Sequence, residues 1–122
     1  MTAQGVLAVI GLGALGAVSR AAVQGFTLRR ERFPFIAGTL IVNFTGAFLL
    51  GVLHGAGASS SLVRISGAGF LGAFTTFSGW MLEAERINGL SRKLAVAYLI
   101  FPLLIGLLLV WLGNYLGVNL IA

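Results

Sequence analysis

The sequence has no cysteine and very little charge. The missing cysteines exclude disulfides, thiol catalysis and cysteine-ligated metal sites. Charged residues are 9% of the chain, against about 25% in a typical soluble domain, and so few cannot cover the surface of a soluble globule. Disorder requires low hydrophobicity, yet 58% of these residues are hydrophobic. The composition predicts an integral membrane protein, and its single histidine leaves no catalytic set for an enzyme.

What the chain does contain is four long apolar stretches, at residues 4–28, 33–57, 62–82 and 94–118. Each is long enough to cross a hydrocarbon core of ~30 Å, which takes about 20 helical residues. The predicted fold class is therefore all-α, with four transmembrane helices that form one membrane domain over residues 1–122.

The basic residues are concentrated in two of the predicted loops. Those on one side of the membrane are Arg29, Arg30, Arg32, Arg86, Arg92 and Lys93, whereas Arg64 stands alone on the other side. The positive-inside rule then predicts that these two loops are cytoplasmic and that both termini lie outside. We interpret the net charge of +5 as an orientation signal, with no nucleic-acid partner.

One glycine pattern in the first stretch matches a dinucleotide-binding fingerprint. Gly11, Gly13 and Gly16 follow G-x-G-x-x-G, but the strand and helix alternation that the fingerprint requires is missing. Small residues also allow membrane helices to pack closely. We therefore interpret these glycines, and those at Gly51 and Gly113, as helix-packing positions.

Polar residues within the apolar stretches mark the candidate site, because each is costly in lipid unless it is buried or faces water. Thr39 and Asn43 lie one turn apart on one face of the second stretch. In the third, residues 72–80 (GAFTTFSGW) form the weakest helix of the chain, with adjacent threonines and flanking glycines. A break at mid-membrane would free carbonyls that suit a hard cation, while Phe77 and Trp80 would present ring edges to an anion.

Structural roles compete with these interpretations. Asn43 alone could join two helices, the threonines could bond back to their own helix, and the two rings could be a core stripe. Arg20, the only charge inside the first stretch, is expected to snorkel or to cap a neighbouring helix end. The combination of Asn43 with the break favours a site.

Three motifs carry a family resemblance: residues 13–20 (GALGAVSR), 38–46 (GTLIVNFTG) and 69–78 (GFLGAFTTFS), the last followed by Glu83. On these residues the chain resembles the Fluc (CrcB-type) fluoride channels over essentially its whole length. The resemblance implies a fluoride-selective channel that exports fluoride passively across the bacterial plasma membrane. It also implies an antiparallel dimer of four-span subunits, each with a broken third helix.

The resemblance further implies residue roles. The backbone carbonyls of Gly72 and Thr75, from both subunits, would hold a structural sodium ion at the dimer interface. The fluoride pathway would comprise an amide donor, an aromatic pair and five further polar residues: Asn43; Phe77 and Trp80; Thr39, Thr76, Ser78, Tyr98 and Glu83. The amide, hydroxyl and ring-edge groups among them are neutral donors, which replace the hydration shell of fluoride without trapping the ion.

Two positions depart from the family pattern. Trp80 stands where phenylalanine is usual, and Pro102, one turn after Tyr98, stands where a small polar residue is expected. Proline removes a backbone N–H and can kink a helix. On the resemblance alone, Trp80→Phe is expected to retain fluoride efflux.

Two alternatives stay open at the level of sequence. The alternative function is a proton-coupled exporter resembling the small multidrug resistance transporters, but their first helix needs a carboxylate, and here it carries only Arg20. The dimer partner is also open, because an antiparallel homodimer needs insertion in both orientations and the six-to-one loop bias opposes that. The partner is either a second copy inserted with dual topology or an oppositely oriented paralogue.

Overall fold

The computed structural model describes residues 2–30 and 34–121, and this part of the chain is helical, without a β-strand. Six α-helices and two π-helical segments follow one another in the order α1 (Ala3–Arg30), α2 (Pro34–Gly55), α3 (Ser60–Arg64), π1 (Ile65–Leu71), α4 (Gly72–Phe74), α5 (Phe77–Asn88), α6 (Arg92–Leu116) and π2 (Gly117–Ile121). The all-α fold class predicted from the sequence is therefore confirmed over these residues.

Three helical stretches in the described ranges are long and apolar enough to cross a membrane: Ala3–Phe26, Ile36–Gly55 and Arg92–Ile121. Together they identify a multi-pass membrane protein. The third predicted span, residues 62–82, is distributed over α3, π1, α4 and α5, none of which alone has the length of a span. The count of four spans thus stays a prediction.

The predicted loop charges are only partly visible. Arg86, Arg92 and Lys93 are exposed at the turn between α5 and α6. The side chains of the remaining loop arginines lie outside the described part of the structure; they are Arg29, Arg30, Arg32 and Arg64. The predicted orientation in the membrane therefore remains a prediction.

Serine side chains begin two of the helices. The Ser59 hydroxyl accepts a hydrogen bond from the Leu62 N–H at 3.1 Å before α3, and the Ser91 hydroxyl accepts from the Leu94 N–H at 3.3 Å before α6. After α2, Gly57 has φ of +76°, a backbone conformation that glycine adopts without steric cost. These local signals explain where the chain turns between its long helices.

Helices α2 and α6 approach until their backbones touch. A Cβ atom at Gly51 would lie 2.2 Å from the Val110 carbonyl oxygen, and one at Gly113 would lie 2.3 Å from the Phe48 carbonyl oxygen. Such distances exclude any side chain at these two glycines. The interpretation of Gly51 and Gly113 as packing positions is confirmed.

Helix α1 packs in the same way against π1 and α4. A Cβ atom at Gly16 would lie 2.3 Å from the Phe70 carbonyl oxygen, whereas one at Gly11 would meet nothing within 4 Å. The G-x-G-x-x-G pattern therefore contributes a close helix contact through Gly16. This contact brings α1 alongside the end of α4, where the candidate site lies.

Candidate functional site

Two extended residues, Thr75 and Thr76, separate α4 from α5. Asn43 of α2 bridges this interruption: its Nδ2 donates to the Thr76 carbonyl at 2.9 Å, and its Oδ1 accepts from the Thr76 N–H at 2.7 Å. Gly46, one turn further along α2, allows the close approach, because a Cβ there would lie 2.2 Å from Thr75 Cγ2. Asn43 thus joins α2 to the interrupted third stretch, a structural role that the sequence left open. Its amide has two N–H donors, and this pairing uses one of them.

The interruption changes the hydrogen bonding of two carbonyls. In a continuous helix the Thr76 N–H would donate to Gly72, and the Gly79 N–H would donate to Thr75. Instead, the Thr76 N–H donates to the α2 asparagine, and the Gly79 N–H donates to Thr76 Oγ1 at 3.0 Å, which begins α5. Arg20 Nη1 donates to the Thr75 carbonyl at 3.3 Å. The expectation that Arg20 caps a neighbouring helix end is confirmed.

A buried polar cluster joins α2, α5 and α6. The Glu83 carboxyl group accepts hydrogen bonds from Thr39 Oγ1 and from the Tyr98 hydroxyl, each at 2.5 Å and each on a different oxygen. Thr39 is fully buried, and Glu83 and Tyr98 are only 6% and 8% exposed. Both hydroxyl protons are therefore directed at Glu83 rather than at open space.

Replacement of Tyr98 by phenylalanine tests this cluster. The change removes the donor to Glu83 and leaves a buried carboxyl oxygen without its partner, which costs about 1–3 kcal/mol. We expect a clearly lower thermal denaturation midpoint in detergent. The matched control is Tyr115→Phe, because Tyr115 is 53% exposed and its ring stacks on Trp111. Equal midpoints for the two variants would contradict a stabilising role for the cluster.

The aromatic pair lies on an open groove beside the interruption. The Phe77 and Trp80 rings meet edge to face, with centroids 5.8 Å apart at 87°. Trp80 Nε1 also donates to the Tyr98 backbone carbonyl at 2.9 Å, and Phe77 is 69% exposed. The groove, of about 490 Å³, is lined by both rings together with Asn43 and Thr76.

The structure thus divides the predicted site residues into two groups. Those that line the groove are Asn43, Thr76, Phe77 and Trp80, with the two predicted sodium ligands Gly72 and Thr75. Those that do not line it are Thr39, Glu83, Tyr98 and Ser78. Ser78 is exposed, with its hydroxyl 3.4 Å from that of Thr76.

Sequence reasoning missed one residue and one pairing at this site. Gly46 admits the Thr75 side chain, and Arg20 contacts one of the predicted sodium ligands. The close spacing of Asn43 and Gly46 on one helix face was the available signal for the first. No sequence signal paired Arg20 with Thr75, because 55 positions separate them.

The sequence of the chain is similar to those of known proteins. The family model for CrcB-like proteins (camphor resistance, CrcB) matches residues 7–114. The chain belongs to the CrcB-like family. The match covers the interruption, the aromatic pair and the Glu83 cluster, so every residue of the candidate site lies within the CrcB-like region.

Curated CrcB-like relatives cover nearly the whole chain. A protein of Mycolicibacterium paratuberculosis named fluoride-specific ion channel FluC 2 is 41% identical over 108 residues, which is 87% of this chain and 88% of that protein. A protein of the same name from Clostridium acetobutylicum is 38% identical, over 89% of this chain and 95% of its own. A protein of the same name from Mycobacterium tuberculosis is 39% identical, over 91% of this chain and 89% of its own length.

Proposed function

We propose that this chain forms a fluoride-selective channel through which fluoride leaves the cytoplasm passively. Its CrcB-like relatives carry the name fluoride-specific ion channel. The observation that carries the proposal is the groove, where the Asn43 amide and the Phe77 and Trp80 rings meet beside the interrupted helix. These groups are neutral, and they suit an anion that must be released as readily as it is bound.

The residues of the groove would replace water around the ion. Asn43 supplies an amide N–H donor in addition to the one that it gives to Thr76. The aromatic pair supplies ring edges, which carry the positive part of the ring quadrupole. No cation pump is needed, because a negative-inside membrane potential drives an anion outward by about 2.3 kcal/mol per 100 mV.

The buried cluster suits a position along the same pathway. Fluoride that reaches Thr39 or Tyr98 must compete with Glu83 for their hydroxyl protons. Tyr98 also connects the cluster to the groove, because its backbone carbonyl accepts the Trp80 indole N–H. Because of this connection, we assign Thr39, Glu83 and Tyr98 to the fluoride pathway. We also assign Ser78 to it, because its hydroxyl contacts that of Thr76.

A structural sodium ion fits the donor chemistry of the interruption. The Gly72 and Thr75 carbonyls have lost their helical donors, and backbone oxygens are ligands that suit hard cations. Each carbonyl oxygen has two lone pairs, so Thr75 can accept from Arg20 and still offer one pair to an ion. Gly72 is exposed and lines the same groove as Thr75, where a second subunit could add its own pair of carbonyls.

The channel is proposed to be an antiparallel homodimer in the cell membrane, with four spans per subunit and the interruption of the third at mid-membrane. The groove supports a dimer, because Phe77 and Gly72 are exposed in the single subunit although they belong to the site. The proton-coupled exporter is not favoured, since α1 contains no acidic residue.

Fluoride efflux from liposomes that contain the purified chain alone tests the proposal. We expect fluoride release after the membrane is made permeable to potassium, and no release of chloride under the same conditions. Replacement of sodium by a large organic cation during purification is expected to lower the dimer fraction in size-exclusion chromatography. Both effects follow from neutral anion donors in the groove and from carbonyl ligands at the interface.

Three results would overturn parts of this proposal separately. Equal chloride and fluoride release would refute fluoride selectivity. An inactive chain that gains efflux only with a co-expressed paralogue would refute the homodimer, and a dimer fraction that is indifferent to sodium would refute the sodium site.

A further inference from the structure

The indole of Trp80 makes one polar contact that the aromatic role does not require. Its Nε1 donates to the backbone carbonyl of Tyr98 in α6, at 2.9 Å. A helix-interior carbonyl normally accepts from the N–H four residues later and is not available to a side chain. The Tyr98 carbonyl must therefore differ from its neighbours in the helix.

Pro102 is the reason for that difference. It stands four residues after Tyr98 inside α6, which continues as a helix on both sides of it. Proline has no N–H, so it removes the hydrogen bond to the carbonyl at i−4, and its ring crowds the same oxygen. In an apolar environment an unpaired carbonyl is costly. The Trp80 N–H supplies the missing donor.

We propose that Trp80 and Pro102 act as one unit. Pro102 frees the Tyr98 carbonyl, that carbonyl fixes the orientation of the Trp80 ring, and Pro102 is thereby a positioning residue of the ion pathway. The positioning role rests on the proposed fluoride function, whereas the pairing rests on the geometry alone. The hydrogen bond holds the indole where its ring meets Phe77 at 87° on the groove. Pro102 lines the same groove, so the unit also shapes its wall.

This pairing connects the two positions that depart from the family pattern. Each is unfavourable alone, because Trp80 is half-buried, where its indole N–H favours a partner, and because a proline leaves a carbonyl unpaired. Together they satisfy one another. Phenylalanine at position 80 cannot donate to the Tyr98 carbonyl. The expectation from the resemblance that Trp80→Phe retains fluoride efflux stays a prediction, to which this pairing adds a lower rate.

A double-mutant cycle over Trp80 and Pro102 tests the inference. Trp80→Phe alone is expected to lower the thermal denaturation midpoint in detergent and to slow fluoride efflux from liposomes. Pro102→Ala restores an N–H at position 102, so the Tyr98 carbonyl regains its helical donor. In the Pro102→Ala background most of the loss caused by Trp80→Phe is expected to disappear. Distant sites would show additive losses instead.

The control variants separate the hydrogen bond from ring size. Trp111→Phe makes the same substitution at a residue that is 61% exposed and stacked on Tyr115, and its penalty should be equal in both backgrounds. Benzothienylalanine at position 80 keeps the bicyclic ring but replaces the N–H by sulfur. It should behave as Trp80→Phe does, and Pro102→Ala should rescue it.

Spectroscopy measures the hydrogen bond of the Trp80 N–H directly, and a change in stability alone would not alter this signal. In a Trp111→Phe background, ultraviolet resonance Raman spectra report the hydrogen bonding of the Trp80 N–H alone. We expect a hydrogen-bonded Trp80 indole in the natural proline background, and a weaker hydrogen bond in Pro102→Ala, where two donors share one carbonyl.

Two results would overturn the proposal: strictly additive losses in the double-mutant cycle, or a benzothienylalanine variant that matches the natural chain in stability and efflux. Because midpoint and spectrum need no fluoride, coupling without efflux would contradict only the proposed function.

Discussion

Asn43→Leu is expected to abolish fluoride efflux and to destabilise the protein more than any other single polar change at the site. Leucine has a similar volume but removes the donor to the Thr76 carbonyl and the acceptor for the Thr76 N–H. Each buried backbone group that loses its partner costs about 1–3 kcal/mol. The thermal midpoint in detergent and the efflux rate from liposomes are the two measurements.

The matched control for Asn43 is Asn119→Leu. Asn119 is exposed near the end of the chain, and its side chain donates only to the Tyr115 carbonyl. We expect this variant to keep both the midpoint and the efflux rate. A stable Asn43→Leu protein with normal efflux would mean that Asn43 neither holds the interruption nor contributes to the pathway.

Gly113→Ala is expected to prevent the native packing of α2 on α6. The added Cβ would lie 2.3 Å from the Phe48 carbonyl oxygen and 3.0 Å from the Val52 N–H nitrogen, and neither backbone atom can rotate away. Overpacking of this kind typically costs about 1–3 kcal/mol, and contact with two backbone atoms favours the upper end. We expect a large loss of monodisperse protein in size-exclusion chromatography.

Gly11→Ala is the matched control for Gly113→Ala. A Cβ at Gly11 meets nothing within 4 Å, and alanine favours an exposed helix position over glycine by up to about 1 kcal/mol. This variant should be as stable as the natural chain or more so. If Gly113→Ala were equally well tolerated, the backbone contact between α2 and α6 could not be essential.

The long helices were predictable because an apolar stretch in a membrane has few structural options. The predicted spans at 4–28 and 94–118 agree closely with α1 and with α6 extended by π2. In the third predicted span, helix α5 continues past residue 82 to Asn88, and Glu83 is buried against Thr39 and Tyr98. Its burial is a tertiary contact that the sequence pattern did not reveal.

The composition of the site was predictable, but its pairings were not. Threonines next to glycine indicated a weak helix, and the structure has two extended residues there. The partner of Asn43 is a backbone group, which residue type does not reveal. The Trp80 contact had a signal that sequence reasoning did not use: a proline four residues after Tyr98 inside an apolar helix requires a new donor for its carbonyl.

The number of residues in and around the π1 segment determines the direction in which the interruption faces α2. A π-helix bonds each N–H to the carbonyl five residues earlier, so its residues advance by a smaller angle than those of an α-helix. The direction in which Thr76 meets Asn43 therefore depends on how many residues precede it in Ser60–Phe74. Loss of one residue from an α-helical turn there would rotate the interruption by about 100° relative to α2. We therefore expect an insertion or deletion in this stretch to disturb the contact between Thr76 and Asn43 more than the substitution of one apolar residue for another does.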